Sequence, residues 1–124
     1  MSNEKLVKFA GQNYLNLETF RKSGVGVQTP VWFVESDGVL YVRTGANSGK
    51  VKRIRNNKHV RVVPCRSRGE PLGEWVEAQA YLVDENKSAE VNLLLKRKYG
   101  LMKTMFDQMG RLPRDQSATL AIDL

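Results

Sequence analysis

Residues 25–35 read VGVQTPVWFVE, a run rich in β-branched and aromatic side chains. At the two-residue period of a strand, Val25, Val27, Thr29, Val31 and Phe33 share one face. Gly26, Gln28, Pro30, Trp32 and Val34 share the other. Pro30 has no N–H to give to a ladder, which places this strand at a sheet edge or a bulge. The following ESDG is a hairpin signal, because Asp-Gly supplies the positive φ angles of a tight turn. VLYVRT, residues 39–44, is then the returning strand. Residues 13–20, HVRVVPC (59–65), EWVEAQAYLVD (74–84) and SATLAIDL (117–124) complete the strand set. In the third of these, Trp75, Glu77, Gln79 and Tyr81 alternate with Val76, Ala78, Ala80 and Leu82.

The period changes in three places. Residues 4–10 read as a short amphipathic helix with Leu6, Phe9 and Ala10 on one side. Ser48 is a good N-cap for a helix through GKVKRIRNN, with Val51 and Ile54 facing inward and cations over much of the rest. Residues 84–100 form a longer helix. Asp84 or a nearby polar residue opens it, Lys96, Arg97 and Lys98 suit the negative end of its dipole, and Gly100 stops it. Leu101, Met102, Met105, Phe106 and Met109 continue at helical spacing and read as core or dimer packing. About six antiparallel strands, with helices after the third and fifth, predict a mainly β fold: a closed or nearly closed barrel with peripheral helices.

The chain has 124 residues, which suits one domain over 1–124. The formal charge is +7 and the pI about 9.8, predicting attraction to anions. The charge is concentrated: eight Lys or Arg residues lie between Lys50 and Arg68. The single cysteine, Cys65, sits in an apolar run and reads as a small buried hydrophobe. The N-terminus is too short and too charged for a signal peptide, and no run approaches the ~20 apolar residues of a membrane span. A cytoplasmic protein is expected.

Side-chain catalysis finds little support. His59 is the only histidine and reads as a solvated surface residue. One histidine and one cysteine do not make a metal cluster of the usual kind. Glu70, Glu74 and Glu77 read as solvated or paired with arginines. Gly24 and Gly26 read as a hairpin turn, without the helix of a dinucleotide fingerprint.

The window RTGANSGKVKRIRNNKHV is more informative. A strand ends at Thr44, small residues 45–49 follow, and Lys50, Lys52 and Arg53 occupy the first turns of a helix. Free amides at a helix start favour an anion, and Ser48 adds a hydroxyl. Glycine permits close approach. Two readings stand on the residues alone: a solvated basic helix, or a cradle for one phosphate.

VLYVRTGANSGKVKRIRNNKHVRVVPC resembles the flavin-phosphate segment of the pyridoxamine 5′-phosphate oxidase-like split-barrel family. Thr44, Ser48, Lys50 and the pair Asn56 and Asn57 stand at that family's positions. TPVWFV and EWVEAQAYLVD also match, and LLLKRKYGLM is similar to the branch that uses the deazaflavin coenzyme F420. The resemblance covers about residues 12–124. It implies an FMN-binding split β-barrel in which Ser48, Gly49, Lys50 and one or both of Lys52 and Arg53 hold the cofactor phosphate. Thr44 would lie beside the cofactor. The backbone at Pro30, Val31, Trp32 and Phe33 would edge the ring, and Trp75 would contact it.

It further implies a homodimer with the pocket at the interface. F420 is preferred over FMN, and Arg55, Lys58 or Arg61 are candidates to meet its anionic polyglutamate tail. The pyridoxamine phosphate oxidases proper carry an arginine where Gly49 stands, a basic residue near Gln28 or Thr29, and a C-terminal segment that binds pyridoxal phosphate. Vitamin B6 oxidation is therefore not expected.

A flavin performs hydride chemistry itself, consistent with an oxidoreductase acting on a small substrate without a side-chain catalytic constellation. The rivals are a basic nucleic-acid-binding barrel and a non-catalytic flavin or haem carrier of the same fold. Ten aromatics and no evident stacking ladder argue against the first.

Overall fold

A computed structural model describes residues 2–100 and 117–124. In chain order the elements are α1 (Ser2–Val7), β1 (Tyr14–Phe20), β2 (Gly26–Trp32), β3 (Val34–Ser36), β4 (Val39–Gly45), α2 (Gly49–Asn56), β5 (His59–Cys65), β6 (Val76–Leu82), α3 (Glu85–Tyr99) and β7 (Ser117–Asp123). The expected helical spacing of Leu101, Met102, Met105, Phe106 and Met109 lies outside the described residues.

The strands form one antiparallel sheet in the order β2-β1-β5-β6-β7-β4-β3. Its two edge strands, β2 and β3, are consecutive in sequence and separated only by Phe33. A sheet with adjoining chain segments at opposite edges must curl until those edges meet. The result is the expected mainly β fold, a curled antiparallel sheet with peripheral helices. It has seven strands rather than about six, because the run over 25–35 breaks at Phe33 to pass from one edge to the other.

The break leaves the Phe33 N–H and C=O outside the ladders while its side chain is almost fully buried. Unpaired polar groups there would be costly. Tyr99, on the last turn of α3, resolves this. Its hydroxyl accepts from Phe33 N–H at 3.0 Å and shares its own hydrogen between the carbonyls of Phe33, 2.9 Å, and Asn13, 2.7 Å. Lys98 Nζ donates to the same Phe33 carbonyl at 2.8 Å.

The expected alternation holds on both sides of the bend. Phe33 and Val31 pack with the barrel core of Leu15, Leu17, Leu40, Val42, Val62 and Ile122. Val34 and Trp32 pack outside it with Tyr41, Ala121 and the α3 residues Val91, Leu95 and Tyr99. Pro30 lies on the edge strand, where its missing N–H is tolerated. In the hairpin, Asp37 and Gly38 take φ of 52° and 81°, as Asp-Gly predicts. α1 is shorter than the sequence suggests. Leu6 and Phe9 pack on the core, whereas Ala10 is exposed. Val51 and Ile54 anchor α2 by burial, and Cys65 is buried.

Candidate functional site

Ser48 caps α2, as the sequence predicts. Its backbone is extended, φ −69° and ψ 158°, and its hydroxyl accepts from Val51 N–H at 3.4 Å. The turn into the helix is closed by Ser48 N–H on the Gly45 carbonyl at 3.1 Å. The amides of Gly49 and Lys50 begin the helix and have no intrahelical acceptor. They carry the positive end of the helix dipole.

Arg53 folds back across this first turn. A Cβ built on Gly49 would stand 2.6 Å from Arg53 Nη1, so glycine makes room for the guanidinium. Arg53 Nε donates to Thr19 Oγ1 on β1 at 2.6 Å, which fixes its height over the sheet. Lys50 is half-buried. Burial, and then the neighbouring Arg53, push its pKa down. Arg53 is lowered as well, by burial and then by Arg21. Lys50 and Arg53 thus converge on one helix start, with Arg21 close enough to repel Arg53. Among the described residues, no carboxylate lies within 4 Å of any of them. An unneutralised, partly desolvated cation cluster beside two orphan amides has the donor set of an oxyanion cradle. A phosphate fits it.

The structure therefore brings together Ser48, Gly49, Lys50 and Arg53 and adds Thr19 and Arg21, which sequence reading missed. Lys52 is exposed on α2. Thr44 is half-buried at the end of β4, opposite Ala118. Trp75 is half-buried just before β6, with the Arg61 guanidinium 5.0 Å from its ring centre. Among the described residues, no hydrogen bond or ion pair links Thr44 or Trp75 to the α2 corner.

Pro30, Val31 and Trp32 lie along β2. Thr19 stands opposite Val27 in register, so this stretch begins three residues farther along the strand. That is about 10 Å at the rise of an extended chain. The backbone groups of Phe33 are held by Tyr99 and Lys98. A shallow groove lined by Phe20, Arg21, Lys22, Gly24, Asn56 and Asn57 lies between the β1–β2 hairpin and the end of α2.

Other side chains are more engaged than expected. His59 is exposed, but its Nε2 lies 2.9 Å from Glu77 and its ring stacks on Phe20 at 5.2 Å. Glu77 also meets Arg61, at 3.6 Å. Among the described residues no three His, Cys, Asp or Glu side chains gather as a metal site, and no helix is long and apolar enough to cross a membrane.

No family model matches the chain, and no curated protein matches it. Solved structures do. HutZ, the haem storage protein of Vibrio cholerae, superposes with a TM-score of 0.72 at 14% identity, over 98% of this chain and 87% of that one. A candidate pyridoxamine 5′-phosphate oxidase of Listeria innocua superposes with a TM-score of 0.68 at 15% identity, over 98% of this chain and 90% of that one. An F420 reductase superposes with a TM-score of 0.62 at 17% identity, over 94% of this chain and 90% of that one. The curled seven-stranded sheet and these superpositions together establish that the chain has the split-barrel fold of the pyridoxamine 5′-phosphate oxidase-like proteins.

Proposed function

We propose that this chain binds a flavin-type cofactor, F420 in preference to FMN, and serves as an oxidoreductase that transfers hydride to or from a small molecule. The observation that carries this is the cation corner at α2: Lys50 and Arg53, with no carboxylate within 4 Å among the described residues, face a helix start capped by Ser48. These residues, with the amides of Gly49 and Lys50, would bind the phosphate. The edge formed by Pro30, Val31 and Trp32 would flank the ring, with Thr44 and Trp75 as further contacts. When bound, the cofactor supplies the hydride chemistry, so no side chain is given a catalytic role. The protein orients and binds.

The preference for F420 draws support from the likeness to an F420 reductase and from the groove beside the corner. Arg21 lines that groove and repels Arg53, so an anionic tail running from the phosphate along α2 would meet Arg21 and Lys22. Two copies of the chain would pair with the pocket between them, and the protein would work in the cytoplasm. A second reading, a haem or flavin carrier without turnover, is favoured by the likeness to HutZ.

The test is titration of the purified protein with F420, FMN and haem, followed by turnover with reduced F420 or NAD(P)H and a panel of acceptors. Tighter binding of F420 or FMN to wild type than to the Lys50→Ala/Arg53→Ala double variant supports the site. Equal binding, or none, refutes it. Haem binding alone, or flavin binding without turnover, selects the carrier. Salt-sensitive binding to DNA or RNA with no flavin affinity would select the nucleic-acid reading.

A further inference from the structure

The last turn of α3 grips the bend between β2 and β3 at several points. The Tyr99 hydroxyl holds both backbone polar groups of Phe33 and the Asn13 carbonyl, and Lys98 Nζ shares the Phe33 carbonyl. The Tyr99 ring lies against Trp32, centroids 4.3 Å apart and planes 8° from parallel. The Lys98 ammonium sits 3.7 Å over the Phe33 ring. Neighbouring residues of the bend, Trp32 held by its side chain and Phe33 by its backbone, thus depend on one helix end 65 or more residues away. Such redundancy exceeds what satisfying two orphan groups requires. One hydroxyl would do that.

We propose that Tyr99 and Lys98 are positioning residues: by fixing the Trp32–Phe33 bend, they set the edge of β2 at residues 30–32 against which the cofactor ring would lie. The inference rests on the flavin reading above and concerns the opposite end of the ligand from the phosphate corner. A ring edge displaced by an ångström loses contact with its polar rim, which alters both affinity and the electronics of the ring. The phosphate contacts at Lys50 and Arg53 would be untouched.

The two ends are separable by ligand choice. Wild type, Tyr99→Phe, Lys98→Met and Lys50→Ala are each titrated with FMN and riboflavin, and with F420 and its phosphate-free ribityl chromophore. Tyr99→Phe keeps the ring stack and removes the hydroxyl. It should weaken the phosphorylated and phosphate-free ligands by the same factor, about tenfold for the loss of a buried hydrogen-bond hub, and shift the absorption maximum of the bound ring. Lys98→Met should do the same to a smaller degree. Lys50→Ala should weaken only the phosphorylated member of each pair.

If Tyr99→Phe and Lys98→Met bind every ligand as wild type does, with unshifted spectra, while Lys50→Ala discriminates, positioning is refuted and the flavin reading survives. If wild type binds none of the four ligands, both fall. Should Tyr99→Phe lose its cooperative melt, Lys98→Met, which leaves the hydroxyl network intact, decides by the same criterion.

Discussion

Arg53 Nε reaches Thr19 Oγ1 at 2.6 Å, joining the first helix after the hairpin to the first strand of the sheet. Thr19 is fully buried, so the bond holds the guanidinium in place rather than merely decorating the surface. Thr19→Val keeps the shape and removes the acceptor. The expected cost is about 1 kcal/mol of stability, below the roughly 1.5–3 of a hydrogen bond to a charged group because the freed guanidinium can turn back to water. FMN affinity should fall several-fold while riboflavin affinity stays unchanged. Urea denaturation and a pair of fluorescence titrations check both.

Gly49→Ala sets two effects against each other. Alanine is the better helix former by roughly 0.5–1 kcal/mol. The new Cβ would meet the Arg53 guanidinium, the flexible end of a side chain, and push it off Thr19. That loses about 1 kcal/mol. Stability should therefore change by less than about 1 kcal/mol, while phosphate-dependent cofactor binding drops clearly. Denaturation midpoints paired with FMN titration separate the two consequences.

Much of this was legible in the chain, and the reason is local. Alternation over Val76–Leu82, the Asp37–Gly38 turn, the Ser48 and Asp84 caps and the Gly100 stop are all set by residues within a turn of one another. The bend at Phe33 was not legible. The period of two continues through it, and only the closure of the sheet demands it. Lys98 reads as part of an ordinary basic helix end and Tyr99 carries no signal of its own, because their partner stands 65 and 66 residues away. The same holds for Arg53 and Thr19, 34 residues apart. Composition and spacing could suggest an anion site at Ser48 and Lys50, but not which strand would complete it.

The clamp at the bend also gives stability a pH dependence with two opposite slopes. Burial of its ammonium lowers the Lys98 pKa from 10.5 to about 8, although the rest of the side chain keeps much of its surface in water. Between those values the unfolded chain binds more protons at this group, so stability should rise with pH from about 8 toward 10. Burial raises Tyr99 from 10.0 to about 12. There the folded protein keeps the proton longer, so stability should fall as pH climbs above 10. Urea midpoints from pH 7 to 11 should show the rise flattened in Lys98→Met and the fall flattened in Tyr99→Phe.

On the outer face of the sheet, Glu18 is buried and takes Arg61 Nη1 at 3.4 Å and Gln28 Nε2 at 3.2 Å. Removing the cation strands a carboxylate. Arg61→Ala should cost about 2 kcal/mol, less than the roughly 3–5 of a fully buried pair because Arg61 is partly hydrated. Glu18→Gln, which keeps shape and hydrogen bonding while discharging the site, should cost less than half of that. Chemical denaturation of the two variants at neutral pH ranks them. The reverse order would mean that Arg61 is held by Glu77 and Trp75 alone.

A crystal structure of the protein soaked with FMN or F420 locates the phosphate itself. It should lie within hydrogen-bond reach of the Gly49 and Lys50 amides and the Ser48 hydroxyl, flanked by the Lys50 and Arg53 cations, with the ring extending toward Pro30 and Trp32. A cofactor bound elsewhere, with that corner empty, would contradict the assignment.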